Sequence, residues 1–307
     1  MAMDKPVIIA GGTGLIGRAL TRALRAQHVP VVVLTRRPEG QRSQPGLTFV
    51  RWNPDDPAAL QATLAGAAAV VNLMGANISQ GRWTARRKAE LYRSRVATTR
   101  ALARAVAALP ADARPRVFLQ GSAVGYYGDR GEEPITEETP AGDDFLARLC
   151  VDWEAAAQPV AQAGVRLVVL RTGVVLSREG GALPLMLRPI RWFVGGPLGD
   201  GRFFLPWIHI ADHVAAMQFL MEHAAASGPF NLTAPNPVRQ REFVRQAARL
   251  LHRPAWLPAP MFALRLALGE LATALTASQR VLPARLQQLG FRFRFPTLEA
   301  ALEDLLA

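Results

Sequence analysis

Four apolar residues, Val7 to Ala10, run directly into Gly11-Gly12-Thr13-Gly14-Leu15-Ile16-Gly17, and an amphipathic stretch follows with Ile16, Leu20, Ala23 and Leu24 on one side. A buried strand, a glycine turn and a helix in that order constrain the fold more than any other feature. The N-terminus of a helix presents free N–H groups and the positive end of its dipole, so it receives an anion where no Cβ stands in the way. Gly11 permits the tight turn, Gly14 lets a pyrophosphate approach, and Gly17 lets the helix pack closely on the strand. A glycine triplet alone is weak evidence. Its place between strand and helix makes this loop, Gly11 to Gly17, a predicted dinucleotide-phosphate site.

The rest of the first half alternates apolar runs with helical patterns, as a parallel sheet covered by helices does. The predicted strands are Val7 to Ala10, Val31 to Thr35, Leu47 to Arg51, Ala69 to Leu73, Val117 to Gln120 and Arg166 to Leu170. Helices are predicted over 15–26, 55–64, 85–109, 143–163, 210–223 and 240–251. The fold class is therefore α/β, a Rossmann-type doubly wound parallel sheet with a smaller C-terminal α+β lobe. The expected nucleotide domain is 1–172 plus about 207–226, and 173–206 with 227–307 form a substrate-facing lobe.

At 307 residues and 50% hydrophobic content the chain can bury a sizeable core, which excludes disorder as its main state. One cysteine, Cys150, excludes an intramolecular disulfide framework and thiolate-rich metal sites. Met1 to Lys5 lacks the pattern of a signal peptide, and the most apolar long stretch, Ala259 to Ala277, is interrupted by Arg265 and Glu270. A cytoplasmic protein with no membrane partner is expected. The net charge of +12 is concentrated in Arg82 to Arg104 and Arg239 to Arg253. Arg241, Arg245 and Arg249 share one helix face, and a solvated basic face explains them more simply than a nucleic-acid surface. Phe291-Arg292-Phe293-Arg294-Phe295 alternates as a short strand with one buried face does.

The end of the second strand selects the dinucleotide. An acid there would accept from a ribose 2′-hydroxyl, whereas arginine pairs with a 2′-phosphate. The sequence is Leu34-Thr35-Arg36-Arg37-Pro38, without an acid. NADP(H) is the expected cofactor, with Arg36 and Arg37 on the 2′-phosphate and Thr35 assisting.

Several segments, taken together, resemble the atypical extended short-chain dehydrogenases/reductases, specifically their epimerase-like branch. These are VNLMGANI (71–78), GRWT (81–84), SRVATT (94–99), SAVGYYG (122–128), PAGDDFL (140–146), LRTG (170–173), WIHIAD (207–212) and APNPV (234–238). The tail from Arg280 to Phe291 is similar to that branch's small C-terminal domain of unknown function. The resemblance covers nearly the whole chain. It implies an NADP(H)-dependent oxidoreductase or epimerase-like protein acting on a carbonyl or alcohol carbon of a small molecule, sugar nucleotides included, as a monomer or homodimer. Asn53 would approach the adenine, and Leu73, Met74 and Gly75 would line the dinucleotide.

The wider family works with a serine, a tyrosine and a lysine, the lysine lowering the tyrosine pKa. Ser122, just past the predicted fifth strand, matches the serine. The Tyr-x-x-x-Lys pair is absent: counting back from Glu154 puts Leu146 and Cys150 at its positions, and Arg95 stands where the family has asparagine. The only lysines are Lys5 and Lys88. Tyr126 and Tyr127 are the substitute proton donors, and aromatic packing is their alternative role. Lys88 and Tyr92 share a helix face by a spacing common by chance, and Cys150 reads as core. His209 and Asp212 read as structural. The alternative to an enzyme is a non-catalytic NADP(H)-binding redox sensor or partner-binding module.

Overall fold

A computed structural model describes residues 5–307; Met1–Asp4 of the leader reading lie outside them. In chain order the first half comprises β1 (Val7–Ala10), α1 (Leu15–Ala26), β2 (Val31–Thr35), β3 (Leu47–Arg51), α2 (Pro57–Leu64), β4 (Ala69–Asn72), α3 (Ala85–Tyr92), α4 (Thr98–Ala107) and β5 (Val117–Ala123). Then come β6 (Pro134–Ile135), α5 (Phe145–Ala155), α6 (Gln158–Gln162), β7 (Arg166–Thr172), β8 (Val174–Leu176), α7 (Ala182–Arg191), β9 (Phe204–Leu205) and β10 (Trp207–His209). The chain ends with α8 (Ile210–Glu222), β11 (Gly228–Leu232), β12 (Val238–Arg239), α9 (Gln240–Leu250), α10 (Met261–Leu268), α11 (Glu270–Leu275), β13 (Arg280–Val281), α12 (Ala284–Gln288) and α13 (Leu298–Leu306).

Seven strands form one parallel sheet in the order β11-β7-β5-β4-β1-β2-β3, and the order reverses between β1 and β4. Strand alternation divides its core. Val7 and Ile9 join Leu20 and Leu24 of α1 and Met217 and Leu220 of α8 on one face. Ile8 and Ala10 join Leu64, Leu102 and Val160 of α2, α4 and α6 on the other. Both faces are covered, as a parallel sheet requires. A third core gathers α7, α9 and α13 around Trp207 and Phe243, and the β8–β10, β9–β12 and β6–β13 ladders tie this part of the chain together.

Four expectations meet corrections. The sheet takes in β11, which the expected boundary at 227 assigned to the lobe. Its sequence, Gly-Pro-Phe-Asn-Leu, hides the strand, and its edge position tolerates Pro229. The helix expected over 143–163 breaks at Ala156–Ala157, because Pro159 has no N–H to bond back to Ala155. The helix expected over 85–109 is interrupted by one π-helical turn, Arg93–Ala97, between α3 and α4. Phe291 to Phe295 belongs to no strand, and the chain bends at Arg294. Its aromatic rings do turn inward, and the N–H groups of Arg294 and Phe295 donate to the Asp212 carboxylate at 2.8 and 2.9 Å instead of to a ladder.

His213 of α8 is fully buried, its Nε2 3.1 Å from Thr172 Oγ1, and burial pushes its pKa down to about 3. In the unfolded chain it titrates near 6.5. Below that pH the unfolded state takes up a proton that the folded state refuses, so this contribution is complete above about pH 6.5 and lost as pH falls toward 3. Between about pH 6.5 and pH 4 the loss from this one group is a few kcal/mol. His213→Gln flattens the difference in urea-denaturation stability over that window; parallel pH profiles for variant and parent would contradict it.

Candidate dinucleotide site

The glycine loop is a closed turn with room for side chains at few of its positions. Gly14 N–H donates to Gly11 O at 3.1 Å, closing the turn. Gly11 sits at φ +85°, where a Cβ would lie 2.8 Å from the Leu73 carbonyl. The expected phosphate residue and the expected lining residues Leu73 and Met74 therefore meet. A Cβ on Gly12 would strike Val33, and one on Gly17 would stand 2.5 Å from Gly11 O and Gly12 Cα. Gly14 is different: it is exposed, and its Cβ would meet only Gly11 O at 3.3 Å. It is the N-cap of α1, with no side chain capping the helix and no acid in its first turn. The donors around Leu15 and Ile16 are thus left for a ligand, and a pyrophosphate fits this donor set. Arg18, which the sequence reading passed over, donates to Thr13 O at 2.6 Å and brings a guanidinium beside the loop. Its position one residue past Gly17 was the available signal.

At the end of β2, Thr35 Oγ1 accepts from Arg37 N–H at 3.3 Å. Arg36 and Arg37 are exposed, and among the described residues neither forms an ion pair; the nearby Glu39 is taken by Arg51. Asn53 is also exposed, and its Oδ1 accepts from Asp55 N–H at 3.2 Å in a local turn. Gly75 lies against Arg95, whose guanidinium donates to Ala76 O and Leu91 O and so holds the loop after β4 to the π-helical turn.

Ser122 is placed differently from the expectation. It is not past the fifth strand but inside it, because parallel pairing with β7 continues through Ser122 opposite Arg171 and Ala123 opposite Thr172. Inside a strand it shares a face with Phe118 and Gln120, toward α4 and α5. It is 4% exposed, and its hydroxyl donates to Glu154 Oε1 at 2.6 Å. Glu154 receives both Nε and Nη2 of Arg171 at 2.9 Å, a bidentate pair. Arg171 Nη1 donates to the Tyr127 hydroxyl at 3.0 Å, and that hydroxyl gives its own proton to Asn231 Oδ1 at 2.7 Å. Asn231 N–H in turn donates to Glu137. Burial pushes the Tyr127 phenol up to about 12 and raises Glu137. Tyr127 is fully buried with its one proton committed, which counts against it as a proton donor to a ligand. Tyr126 is half-buried, with the Arg171 guanidinium 3.5 Å from its ring and no partner for its hydroxyl among the described residues.

The NAD dependent epimerase/dehydratase family matches residues 7–233, the stretch that carries the glycine loop and this polar network. The chain belongs to that family. A domain of unknown function, DUF1731, matches residues 259–305. Relatives include an epimerase family protein of Mycobacterium leprae, 40% identical over 96% of this chain and 94% of its own. Another is the epimerase family protein YfhF of Bacillus subtilis, 39% identical over 98% of each chain. Among solved structures, the human epimerase family protein SDR39U1 with NADPH superimposes with a TM-score of 0.87, at 35% identity over 98% of each chain.

The two positions that counting back from Glu154 offered for a tyrosine and a lysine are occupied by Leu146 and Cys150. Leu146 packs on Gly125, and Cys150 is buried with its thiol pushed up to about 12 by desolvation, a core residue and not a nucleophile. Lys88 forms an ion pair with Glu270 at 2.5 Å, and Tyr92 donates to Asp152, so the two side chains are tied to different partners. His209 caps α8 through Nδ1 and Asp212 holds the Arg294–Phe295 backbone, both structural. Among the described residues no group of His, Cys, Asp and Glu could hold a metal, and no helix is long and apolar enough to cross a membrane.

Proposed function

We propose that this chain is a cytoplasmic NADP(H)-dependent enzyme acting on a carbonyl or alcohol carbon of a small molecule, with sugar nucleotides among the candidates. The observation that carries it is the pairing of an uncapped, glycine-walled helix N-terminus with an acid-free strand end bearing Arg36 and Arg37. Gly11, Gly14 and Gly17 shape the pyrophosphate cradle, Arg36 and Arg37 clamp the 2′-phosphate with Thr35, and Asn53 borders the adenine. Leu73, Met74 and Gly75 line the dinucleotide. Bound there, the cofactor supplies or accepts a hydride. Tyr126 is the phenol left free to hold or move a proton at the reacting oxygen. Ser122 and Tyr127 act as positioning residues, through Glu154 and Arg171.

One observation favours a second reading, a non-catalytic NADP(H)-binding sensor: Leu146 and Cys150 give no cation and no phenol along α5.

Nucleotide-free protein titrated with NADPH and NADH tests the proposal. NADPH is expected to bind at least about tenfold tighter, and Arg36→Ala combined with Arg37→Ala to cost roughly 10- to 100-fold in NADPH affinity, as loss of charge-assisted hydrogen bonds does. Equal affinities, or a double variant that binds NADPH normally, would remove the 2′-phosphate assignment. With NADPH bound, turnover of any member of a carbonyl panel that falls in Tyr126→Phe supports the enzyme. Tight binding without turnover leaves the sensor.

A further inference from the structure

The large apolar side chains left in water are concentrated in one place. Trp192 and Phe193, just after α7, are 61% and 54% exposed; Trp256, Phe262 and Leu266 are 71%, 75% and 77% exposed. Backbone hydrogen bonds join the two segments side by side: Leu257 N–H to Gly195 O at 3.1 Å, Ala259 N–H to Pro197 O at 2.9 Å, and Gly199 N–H to Ala259 O at 2.8 Å. The α10 helix that follows is apolar at every position but Arg265, yet none of its residues is buried. A helix apolar all round belongs in a core or in lipid.

The two segments that form this surface are basic, although Glu179, Asp200, Glu242 and Glu270 stand at their ends. No acid occurs from Gly180 to Gly199 or from Phe243 to Gly269, whereas Arg188, Arg191, Arg245, Arg249, Arg253 and Arg265 do. Beside the patch lies a cleft of about 450 Å³ lined by Arg241, Arg245, Arg249 and Arg253 together with Pro197 and Ala255. Arg249 is paired with Glu299; the other three have no carboxylate partner among the described residues.

We propose that this surface docks on a membrane carrying anionic phospholipid. The aromatic and aliphatic side chains enter the boundary between headgroups and acyl chains, and the arginines meet lipid phosphate. Charge complementarity selects this occupant. A second copy of the chain would set arginines against arginines. Nucleic acid would find two of the four exposed rings covered, with Arg188 on Trp192 at 4.4 Å and Arg253 on Phe193 at 4.7 Å; it could stack on Trp256 and Phe262 but would leave the aliphatic Leu185, Val194 and Leu266 in water. A small soluble anion would use the cleft and leave the apolar side chains unexplained.

The full chain is tested by co-sedimentation with vesicles of phosphatidylcholine alone or with about one-third phosphatidylglycerol. Binding to the anionic vesicles alone is expected, with a blue shift of tryptophan emission and release as salt rises from about 0.1 M to about 0.5 M. Phe262→Glu combined with Leu266→Glu should lower vesicle binding at least about tenfold, since two acids then face the headgroup phosphates. Both positions are exposed, so circular dichroism and NADPH titration should match the parent, which separates this result from the cofactor reading. Equal binding to both vesicle types, no binding, a dimer dissolved by the double variant, or stronger binding to a single-stranded oligonucleotide would each overturn the proposal.

Discussion

Arg171→Met is expected to lower the unfolding free energy by about 3–5 kcal/mol, because it leaves the Glu154 carboxylate in the interior without its cation. The side chains are 5% and 14% exposed and meet through two hydrogen bonds of 2.9 Å, so solvent cannot replace the lost partner. The same change withdraws the donor from Tyr127 and the cation from the Tyr126 ring. For a chain of this size such a loss lowers the midpoint of thermal unfolding by about 10 °C. Arg171→Met/Glu154→Leu should be less destabilised than the sum of the two single changes, since it removes both charges together. Additive losses in urea denaturation would show that the pair is not coupled, and the account of Ser122 as held by a rigid carboxylate would fall with it.

Much of the scaffold was legible in the sequence because it is local. The run from Val7 to Gly17 specifies strand, turn and helix with residues adjacent along the chain, and the structure places each as expected. The face of the Phe291–Phe295 segment was legible for the same reason, from alternation alone. What closes its backbone was not: Asp212 lies about eighty residues away and signals nothing in a local window. Ser122 shows how a small boundary error changes chemistry. From the sequence the strand ends at Gln120, and only the neighbouring β7 carries the pairing through to Ala123. With a period of two, that extension sends the serine side chain under α5. The polar network was illegible as a whole. Its members, Ser122, Tyr127, Glu137, Glu154, Arg171 and Asn231, come from several distant segments; strand register sets Ser122 and Asn231 on either side of Arg171, and the other three reach them from α5 and two loops. Even so, Glu154 was visible as a motif position, and Arg171 as part of Leu170 to Gly173. The missing inference was that a buried acid must have a cation.

Gly14→Ala and Gly17→Ala should separate binding from folding, although the two glycines are only one helical turn apart. Gly14 has φ −75° and ψ 173°, an extended conformation open to alanine, and its Cβ would touch only Gly11 O at 3.3 Å. Stability should therefore change by less than about 1 kcal/mol, with the reduced freedom of the unfolded chain offsetting that contact. NADPH affinity should still fall by more than about tenfold, because the methyl group occupies the mouth of the donor cradle where the pyrophosphate approaches. Gly17 has no such latitude. Its Cβ would be driven to 2.5 Å from two backbone atoms of the loop, and α1 can yield only by moving off β1. That strain costs about 1–3 kcal/mol of folding free energy and displaces the amides that face the ligand, so stability and affinity fall together. Urea denaturation paired with NADPH titration on each variant reads both quantities. If Gly14→Ala bound NADPH as the parent does, the pyrophosphate would have to lie elsewhere, and the reading of this loop as the cofactor cradle would fail even with the fold intact.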